Sequence, residues 1–517
     1  MKTRGAIAAG HTETAAAAAT VLEEGGNAFD AAMAGLCAAC MVEPGLTSLG
    51  GGGFLLARPA GGAAAMYDFF AHTPKARRAG VDFFPVLCDF GAAQQEFHIG
   101  MGSIATPGTV KGLFAVHAEL CSMPMARIVE PAVALARTGV RIDRLQAFIF
   151  EVVGNIFTAN AACRAVFGSP TRAGQLIGEG EIFANPALAG TLEALAREGE
   201  ELFYRGEIAR RIVADCAAGG GLLTMADLEG YRVEKRRALG VAYRGARLFT
   251  NPPPSTGGIL IAFALELLKG CRPGSLGFGS AAHLELLARI MELTNRARVE
   301  SRLHEADEAA ATDALLDAGF LETYRAQVLG RPAARRGTTH LSVIDAAGNA
   351  ASLSLSNGEG SGYLVPDSGV VLNNMLGEED INPHGLQKWP EDTRMSSMMA
   401  PTLIEQPGGV TAVLGSGGSN RIRTAILQVI SNLLDFQMPL KEAVESPRIH
   451  FEDGLLNIED GYHPPVAAAL AETFPENRIW DEKNLFFGGV HVVRFNPGRG
   501  DFAGAGDPRR GGVARIV

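Results

Sequence analysis

The sharpest pattern along the chain is the strict alternation of Ala351-Ser352-Leu353-Ser354-Leu355-Ser356, with leucines on one face of a strand and serines on the other. Just before it, Thr338-Thr339-His340-Leu341-Ser342-Val343-Ile344 is rich in β-branched residues, and Ala346-Ala347-Gly348-Asn349 reads as a turn. Together they predict a β-hairpin over residues 338–356, with a row of hydroxyls on its second strand. Residues 331–337 hold Pro332, alanines, arginines and Gly337, nothing that could build a core. They predict an exposed, mobile loop leading into the hairpin.

Helical and strand periods alternate on either side. Residues 13–22 predict a helix capped by Thr12 and stopped by Gly25-Gly26. Asn27 and Asp30 predict the N-cap of a second, alanine-rich helix that ends at Pro44-Gly45. Residues 54–57 and 65–69 read as paired strands. Gly50 to Gly53 precede them without a phosphate-loop lysine or a G-x-G-x-x-G opening a helix. They predict close packing of backbone on a neighbouring strand rather than a nucleotide loop. Thr106-Pro107 predicts a helix start with Thr106 as cap. Further helices are expected over 124–137, 259–268 and 283–315, a capping box at Thr224 and Asp227, and a strand over 244–250 that leads into Pro252-Pro253-Pro254. After the hairpin come a strand at 369–372, a polar loop over 375–390 long enough to wall a pocket, and strands at 402–404 and 410–414. A tight loop over 415–419 then runs into a helix capped by Asn420, with Ile422, Ile426, Val429, Ile430, Leu433 and Leu434 on its apolar stripe. Periodicity by itself supports an α+β class.

Composition removes several function classes. The 517 residues carry a formal charge of −10, which disfavours a nucleic-acid surface. No run reaches about 18 apolar residues, so no membrane span is expected. Lys2 and Arg4 mimic the start of a signal peptide, but residues 10–14 interrupt the apolar run behind them, so the expected location is cytoplasmic. The seven cysteines are odd in number, and the C-x-x-C pair Cys37 and Cys40 sits in an alanine-rich helix. Buried thiols are expected there rather than a metal or redox centre. The eleven histidines never pair at metal-ligand spacing, so neither metal nor cofactor is expected.

The Gly337-Thr338 junction is where chemistry is expected. A threonine hydroxyl is a poor nucleophile without a base. If the chain is cut before Thr338, the freed α-amine can be that base, since its reference pKa of about 7.7–8.0 leaves part of it neutral near pH 7. Backbone N–H groups in the 415–419 loop, at a helix N-terminus, would serve as oxyanion donors.

The segment TTHLSVID followed by GNAASLSLS resembles the start of the small subunit of the γ-glutamyltransferases, members of the N-terminal-nucleophile hydrolases. The likeness runs along most of the chain: EGGNAFDAA at 24–32, LGGGGF at 49–54, ATPGTV at 105–110, FYRG at 203–206, NPPPSTGG at 251–258, LNN at 372–374, MSSM at 395–398 and GSGG at 415–418. The resemblance implies a four-layer αββα sandwich. It implies self-cleavage into a large subunit, 1–337, and a small one, 338–517, which interleave as one domain and form a heterodimer.

It also implies a site. Thr338 is the nucleophile, Thr339 orients its amine, and Ser356 takes the place of a family threonine beside it. The oxyanion donors fall on Gly418 and Ser419, or with a shift of one on Gly417 and Gly418. Ser396 and Ser397 match the serine pair that holds a substrate α-carboxylate, and Glu378 or Glu379 matches the acid that holds its α-amine. Asn357 stands for a pocket asparagine, across a hairpin exit two residues shorter than the family's. Phe70 occupies the position of the family's carboxylate-clamping arginine, and Met375 that of a glutamine. The implied activity is hydrolysis or transfer of a γ-glutamyl-like acyl group from a small amide or peptide, such as glutathione, to water or an amine. Because Phe70 cannot pair with a carboxylate, a glutamyl substrate would need another arginine, such as Arg77 or Arg394. The alternatives are an acylase for a non-glutamyl, glutaryl-like group, and an uncleaved relative that only binds.

Overall fold

The computed structural model describes residues 3–89, 94–301, 338–382 and 384–517, with Thr312, Leu315, Leu316, Asp317, Phe320, Leu321 and Tyr324 between them. The loop expected at 331–337, Gly337 included, and residues 302–311 of the helix expected over 283–315 lie outside the described residues. The predicted hairpin forms. Strands Thr339–Asp345 and Ala350–Ser356 pair antiparallel, with Thr339 opposite Leu355 and Leu341 opposite Leu353.

Numbered in chain order, the strands of the two large sheets are β1 (Gly5–Ala9), β2 (Gly52–Arg58), β3 (Ala65–Phe69), β4 (Glu234–Arg237), β5 (Leu239–Tyr243) and β6 (Ala246–Thr250). The hairpin supplies β7 and β8, and β9 (Thr402–Glu405), β10 (Thr411–Gly417), β11 (Gly489–Asn496), β12 (Asp501–Ala505) and β13 (Val513–Ile516) follow. The first sheet runs β13-β1-β7-β8-β2-β3-β4 and the second β12-β11-β10-β9-β6-β5. Both mix strands from before and after Thr338. The expected glycine packing at 50–53 is present: a Cβ on Gly51 would lie 2.4 Å from the Ser356 carbonyl oxygen, and one on Gly53 2.5 Å from that of Ser354.

Alternation along the hairpin decides the layers. Leu341, Val343, Leu353 and Leu355 face outward into one hydrophobic cluster with helices α1 (Thr12–Glu23), α2 (Ala28–Val42) and α3 (Met125–Thr138). All of α2 is buried, and its small residues allow that closeness: a Cβ on Gly35 would sit 2.4 Å from the Leu341 side chain. Ile344 and Ala350, on the other face, join a second cluster with Val413, Leu414 and Val492 of the second sheet. Further helices cover that sheet's far side. After α4 (Arg144–Val152) these are α5 (Thr256–Lys269), α6 (Ala281–Glu300) and α7 (Arg421–Leu434). The result is the expected αββα sandwich. Each large aliphatic side chain so buried contributes about 1.5–3 kcal/mol.

Several local expectations shift. The first helix is capped by His11, whose Nδ1 accepts from the Glu13 amide at 3.1 Å, so Thr12 is its first residue. The capping boxes at Asn27/Asp30 and Thr224/Asp227 are present. The helix expected from Thr106 begins at Thr109, because Thr106 forms a bridge with His72. Leu433 and Leu434 are only half-buried at the end of α7, while the rest of the stripe is buried. Asn420 sits at the α7 N-cap with helical backbone angles and makes no side-chain cap bond. The loop expected over 415–419 is shorter, since β10 continues through Gly417 to pair with Gly489 of β11. Cys37 and Cys40 are buried free thiols, and burial pushes Cys37 up to about 12.

Candidate active site

Thr338 is the residue immediately before β7 and is 4% exposed. Carrying the hairpin register on by one position sets it opposite Ser356, the last residue of β8. Both line one cavity, and Thr338 also lines a second, wider one. The candidate nucleophile therefore sits at a neck between two spaces. The Ser356 hydroxyl accepts from the Gly358 amide at 3.1 Å, which fixes the hairpin exit.

The chain between β10 and α7 crosses the same neck. Gly417 lines the larger cavity and Ser419 the smaller. Only glycine fits at 417, because a Cβ there would lie 1.6 Å from the Thr338 carbonyl oxygen. Gly418 has φ of 119° and Ser419 φ of 54°, a left-handed turn that lifts the chain off the strand and into the helix. For Ser419 this conformation is uncommon. Its side chain is held by a bond from Oγ to Asp380 Oδ2 at 2.8 Å.

The smaller cavity brings together three of the six predicted acyl-pocket residues. Phe70, Glu378 and Ser397 line it, with Met375, Asp380, Ile381, Met398, Met399 and Ile422. Glu378 is buried whereas Glu379 is exposed, so the structure separates two residues that spacing could not. Ser397 Oγ accepts from the Met399 amide at 3.1 Å, and its carbonyl accepts from the Ser255 hydroxyl at 2.8 Å. Ser396 is only half-buried and does not reach the wall. Asn357 also departs from expectation. It is 1% exposed and lies behind Ser356, beside Gly51, rather than in the wall of the acyl cavity.

Phe70 is in the cavity wall and stacks on Phe54 at 5.4 Å between centroids. Neither arginine named above as a substitute clamp reaches the cavity. Arg394 is buried behind Phe70: its Nη1 donates to the Phe70 carbonyl and to Tyr231 Oη at 2.6 Å, and its Nε is 3.5 Å from Asp68 Oδ1. Arg77 lies half-exposed against Glu391 and over the Trp389 ring. Among the described residues, the lining of the small cavity includes two carboxylates and no lysine or arginine.

The larger cavity is walled on one side by α4, through Leu145, Phe148, Ile149 and Val152. Thr339, Glu43, His491 and Arg510 line it as well. Thr339 Oγ1 donates to Glu43 Oε2 at 2.7 Å, and Thr14 Oγ1 donates to Glu43 Oε1 at 2.8 Å. Thr339 thus faces the larger cavity with its hydroxyl committed to Glu43. Arg510 reaches the Thr338 carbonyl oxygen with Nη1 and the Leu485 carbonyl oxygen with Nη2, both at 3.3 Å. The turn that carries it is pinned by buried ion pairs, Arg448 to Asp507 at 2.6 Å and Arg509 to Glu459. Burial pushes the Arg510 guanidinium down to about 10 and the His491 imidazole down to about 4.

Sequence reasoning missed Asp380, Glu43 and Arg510. Asp380 follows two acids that spacing could not rank. Glu43 ends a helix read as core. Arg510 lies in a Pro508-Arg509-Arg510 turn whose neighbours in space are remote in sequence. Among the described residues, no group of three or more His, Cys, Asp or Glu side chains could hold a metal.

The sequence matches the Gamma-glutamyltranspeptidase family over residues 14–517. It is 31% identical over 515 residues to the Acylase ACY 1 proenzyme of Pseudomonas sp. (strain V22), covering 96% of this chain and 90% of the relative. It is 30% identical over 535 residues to the Glutathione hydrolase proenzyme of Escherichia coli (strain K12), covering 95% of this chain and 87% of the relative. The fold is that of cephalosporin acylase from Bacillus halodurans, with a TM-score of 0.86 at 23% identity over 99% of this chain and 96% of that one. Helicobacter pylori gamma-glutamyltranspeptidase superposes with a TM-score of 0.55 at 26% identity, over 63% of this chain and 91% of that one.

Proposed function

Because the chain belongs to the gamma-glutamyltranspeptidase family, we propose that it is a self-processing threonine amidase and acyltransferase that prefers an acyl group without a carboxylate. The observation that carries this reading is the place of Thr338 at the neck between two cavities, beneath the Gly417 to Ser419 turn. In maturation, the Thr338 hydroxyl adds to the Gly337 carbonyl carbon, the peptide C–N bond breaks, and an ester joins the two pieces. Water then cleaves the ester and leaves Thr338 with a free α-amine. Fragments 1–337 and 338–517 stay together as a heterodimer, because both sheets interleave strands of the two.

In turnover, that amine accepts the proton of the Thr338 hydroxyl as oxygen attacks the substrate amide. The amides of Gly418 and Ser419, outside the strand ladder and at the start of α7, suit the oxyanion better than the pair shifted by one. Each such donor contributes on the order of 3 kcal/mol to the transition state. The proton passes to the leaving amine, and water or a second amine releases the acyl group. A carboxylate in the small cavity would face Glu378 and Asp380 with no guanidinium in place of Phe70. The γ-glutamyl reading keeps the support of Glu378 and Ser397, which stand in that same wall.

A denaturing gel with N-terminal sequencing tests maturation: the small fragment should start at Thr338, and Thr338→Ala should remain one chain. The p-nitroanilides of pentanoic acid, glutaric acid and γ-glutamate test the acyl preference. Pentanoyl should be turned over fastest, and equal or faster release from the γ-glutamyl anilide would reject the preference.

A further inference from the structure

One wall of the acyl cavity, Phe70, precedes Thr338 in sequence, and another, Ser397 to Met399, follows it. Phe70 stands just past the end of β3, beyond the last ladder pairs, Gly53 with Phe69 and Asp68 with Glu234. The sheet ladder therefore stops short of it, and side chains hold its backbone instead. The Phe70 N–H donates to Asp68 Oδ1 at 3.0 Å, and its carbonyl accepts from Tyr231 Oη at 2.7 Å and from Arg394 Nη1.

Arg394 is the hub of that hold. Its guanidinium also donates to Tyr231 Oη at 2.6 Å and to the Arg232 carbonyl, lies over the Tyr231 ring, and sits 3.5 Å from Asp68 Oδ1. Asp68 is fully buried and takes Arg236 Nε on its other oxygen at 3.0 Å. Arg394 also leads directly into Met395, Ser396 and Ser397, and the Met395 N–H donates to the Ala71 carbonyl at 3.1 Å. The Ser397 carbonyl is anchored separately, by the Thr256 amide at 2.8 Å at the start of α5. One planar fork thus ties the Phe70 wall to the chain that carries the Ser397 wall. A buried ion pair is a weak source of net stability, but its directed, charge-assisted bonds favour a single geometry.

We propose that Arg394 is a positioning residue, which sets the place of the Phe70 ring in the acyl cavity and thereby which acyl chains fit. Arg394 does not line that cavity, so it acts on the substrate only through Phe70, with Tyr231 and Asp68 as its partners. Loosening the hold lets the ring shift, and acyl chains of different length become alike to the site. The inference rests on the acyl cavity of the proposed function and deepens it, since chain-length selectivity is assigned to a network behind the wall.

The p-nitroanilides of propanoic, pentanoic and heptanoic acid test this, and one chain length should lead in kcat/KM with the wild-type protein. Arg394→Lys keeps the charge beside Asp68 but cannot reach all of the arginine's partners at once. Tyr231→Phe keeps the ring and removes only the hydroxyl. Each should raise KM for the leading chain by about ten-fold, leave kcat within about three-fold, and flatten the preference. Cleavage before Thr338 should proceed as in the wild type, which a general loosening of the fold would not allow. In a Phe70→Ala background neither substitution should alter the preference further, because both act through that ring. Equal kcat/KM for the three chains in the wild type overturns the proposal. So does an unchanged preference in folded Tyr231→Phe or Arg394→Lys protein, or an effect that persists in full without the Phe70 ring. A 4-fluorophenylalanine at position 70 gives a readout without turnover: its fluorine resonance should move and broaden in both variants, and an unmoved line also overturns the proposal. A moved line in a protein that releases none of the anilides would sink the amidase reading and spare the positioning role.

Discussion

At the scale of single residues, the site turns on atoms that leave no room for substitution. Gly417 shows this most directly. A methyl group there would overlap the Thr338 carbonyl oxygen at 1.6 Å, so Gly417→Ala must move either the nucleophile or the turn above it. A displacement of about 1 Å at a reacting group costs on the order of 100-fold in rate. Gly417→Ala should therefore cut kcat for the anilide by at least that factor and slow appearance of the 338–517 fragment on a gel. Normal processing with normal kcat would show that the turn does not set the nucleophile. Phe70 makes the complementary case. Phe70→Arg puts a guanidinium into the wall of the acyl cavity and removes the ring stacked on Phe54. It should raise the ratio of γ-glutamyl to pentanoyl anilide turnover by about ten-fold or more, at a stability loss of about 3 kcal/mol or more seen in urea melts. An unchanged ratio in a folded variant would mean that Phe70 does not govern the choice of acyl group.

At the scale of elements, the hairpin is where sequence reading went furthest. Alternation of leucine and serine located both strands within a residue or so and put the leucines on one buried face. Of the hydroxyls along its two strands, Ser342 and Ser352 tie the hairpin to the second sheet, and Ser354 is held by His340. Ser352 Oγ donates to the Leu414 carbonyl at 3.0 Å and Ser342 Oγ to the His491 carbonyl at 3.1 Å, while His340 bridges Ser342 and Ser354 at 2.9 Å each. Only Ser356, at the strand end, reaches the cavity. Period fixes which side chains share a face, but whether that face meets water or another sheet is decided by strands far away in sequence. The same limit hid Arg510 and left Glu378 and Glu379 unranked, while motif matches pointed to Thr338, Ser397 and the Gly417 to Ser419 turn, which the fold brings around one cavity or its neck. Ser352→Ala removes one neutral bond and should cost about 1 kcal/mol. Ser342→Ala also takes a partner from buried His340 and should cost about 2–3 kcal/mol. Urea melts of the two would sink this account if Ser352→Ala proved the more damaging.

At the scale of the whole molecule, the polar layer between and beside the sheets couples stability to pH. His340, His450 and His491 are each 2% exposed. Burial drives His450 and His491 down to about 4 and His340 well below the ordinary imidazole value. Against an unfolded-chain value of about 6.5, the folded protein resists protons that the unfolded chain accepts. These histidines therefore impose no cost above about pH 6.5, and stability falls as the pH drops from there toward 4, by up to about 1.4 kcal/mol per pH unit for each. Carboxylates held low by arginines, such as Asp507 beside Arg448 and Arg509, add their loss only below that window, where unfolded carboxyls begin to protonate. His491 accepts from the Asp507 amide through Nδ1 at 3.2 Å, a bond that a glutamine oxygen can take over. His491→Gln should lower stability at pH 7.5 but flatten its fall between pH 6.5 and 4.5 by about 1 kcal/mol per pH unit. The measurement must be of unfolding rather than rate. The α-amine of Thr338 titrates near about 7.7–8.0 when unperturbed, so turnover declines with acid while the fold is still intact. A variant whose stability falls as steeply as the wild type across that window would show that His491 does not carry its share of the acid sensitivity.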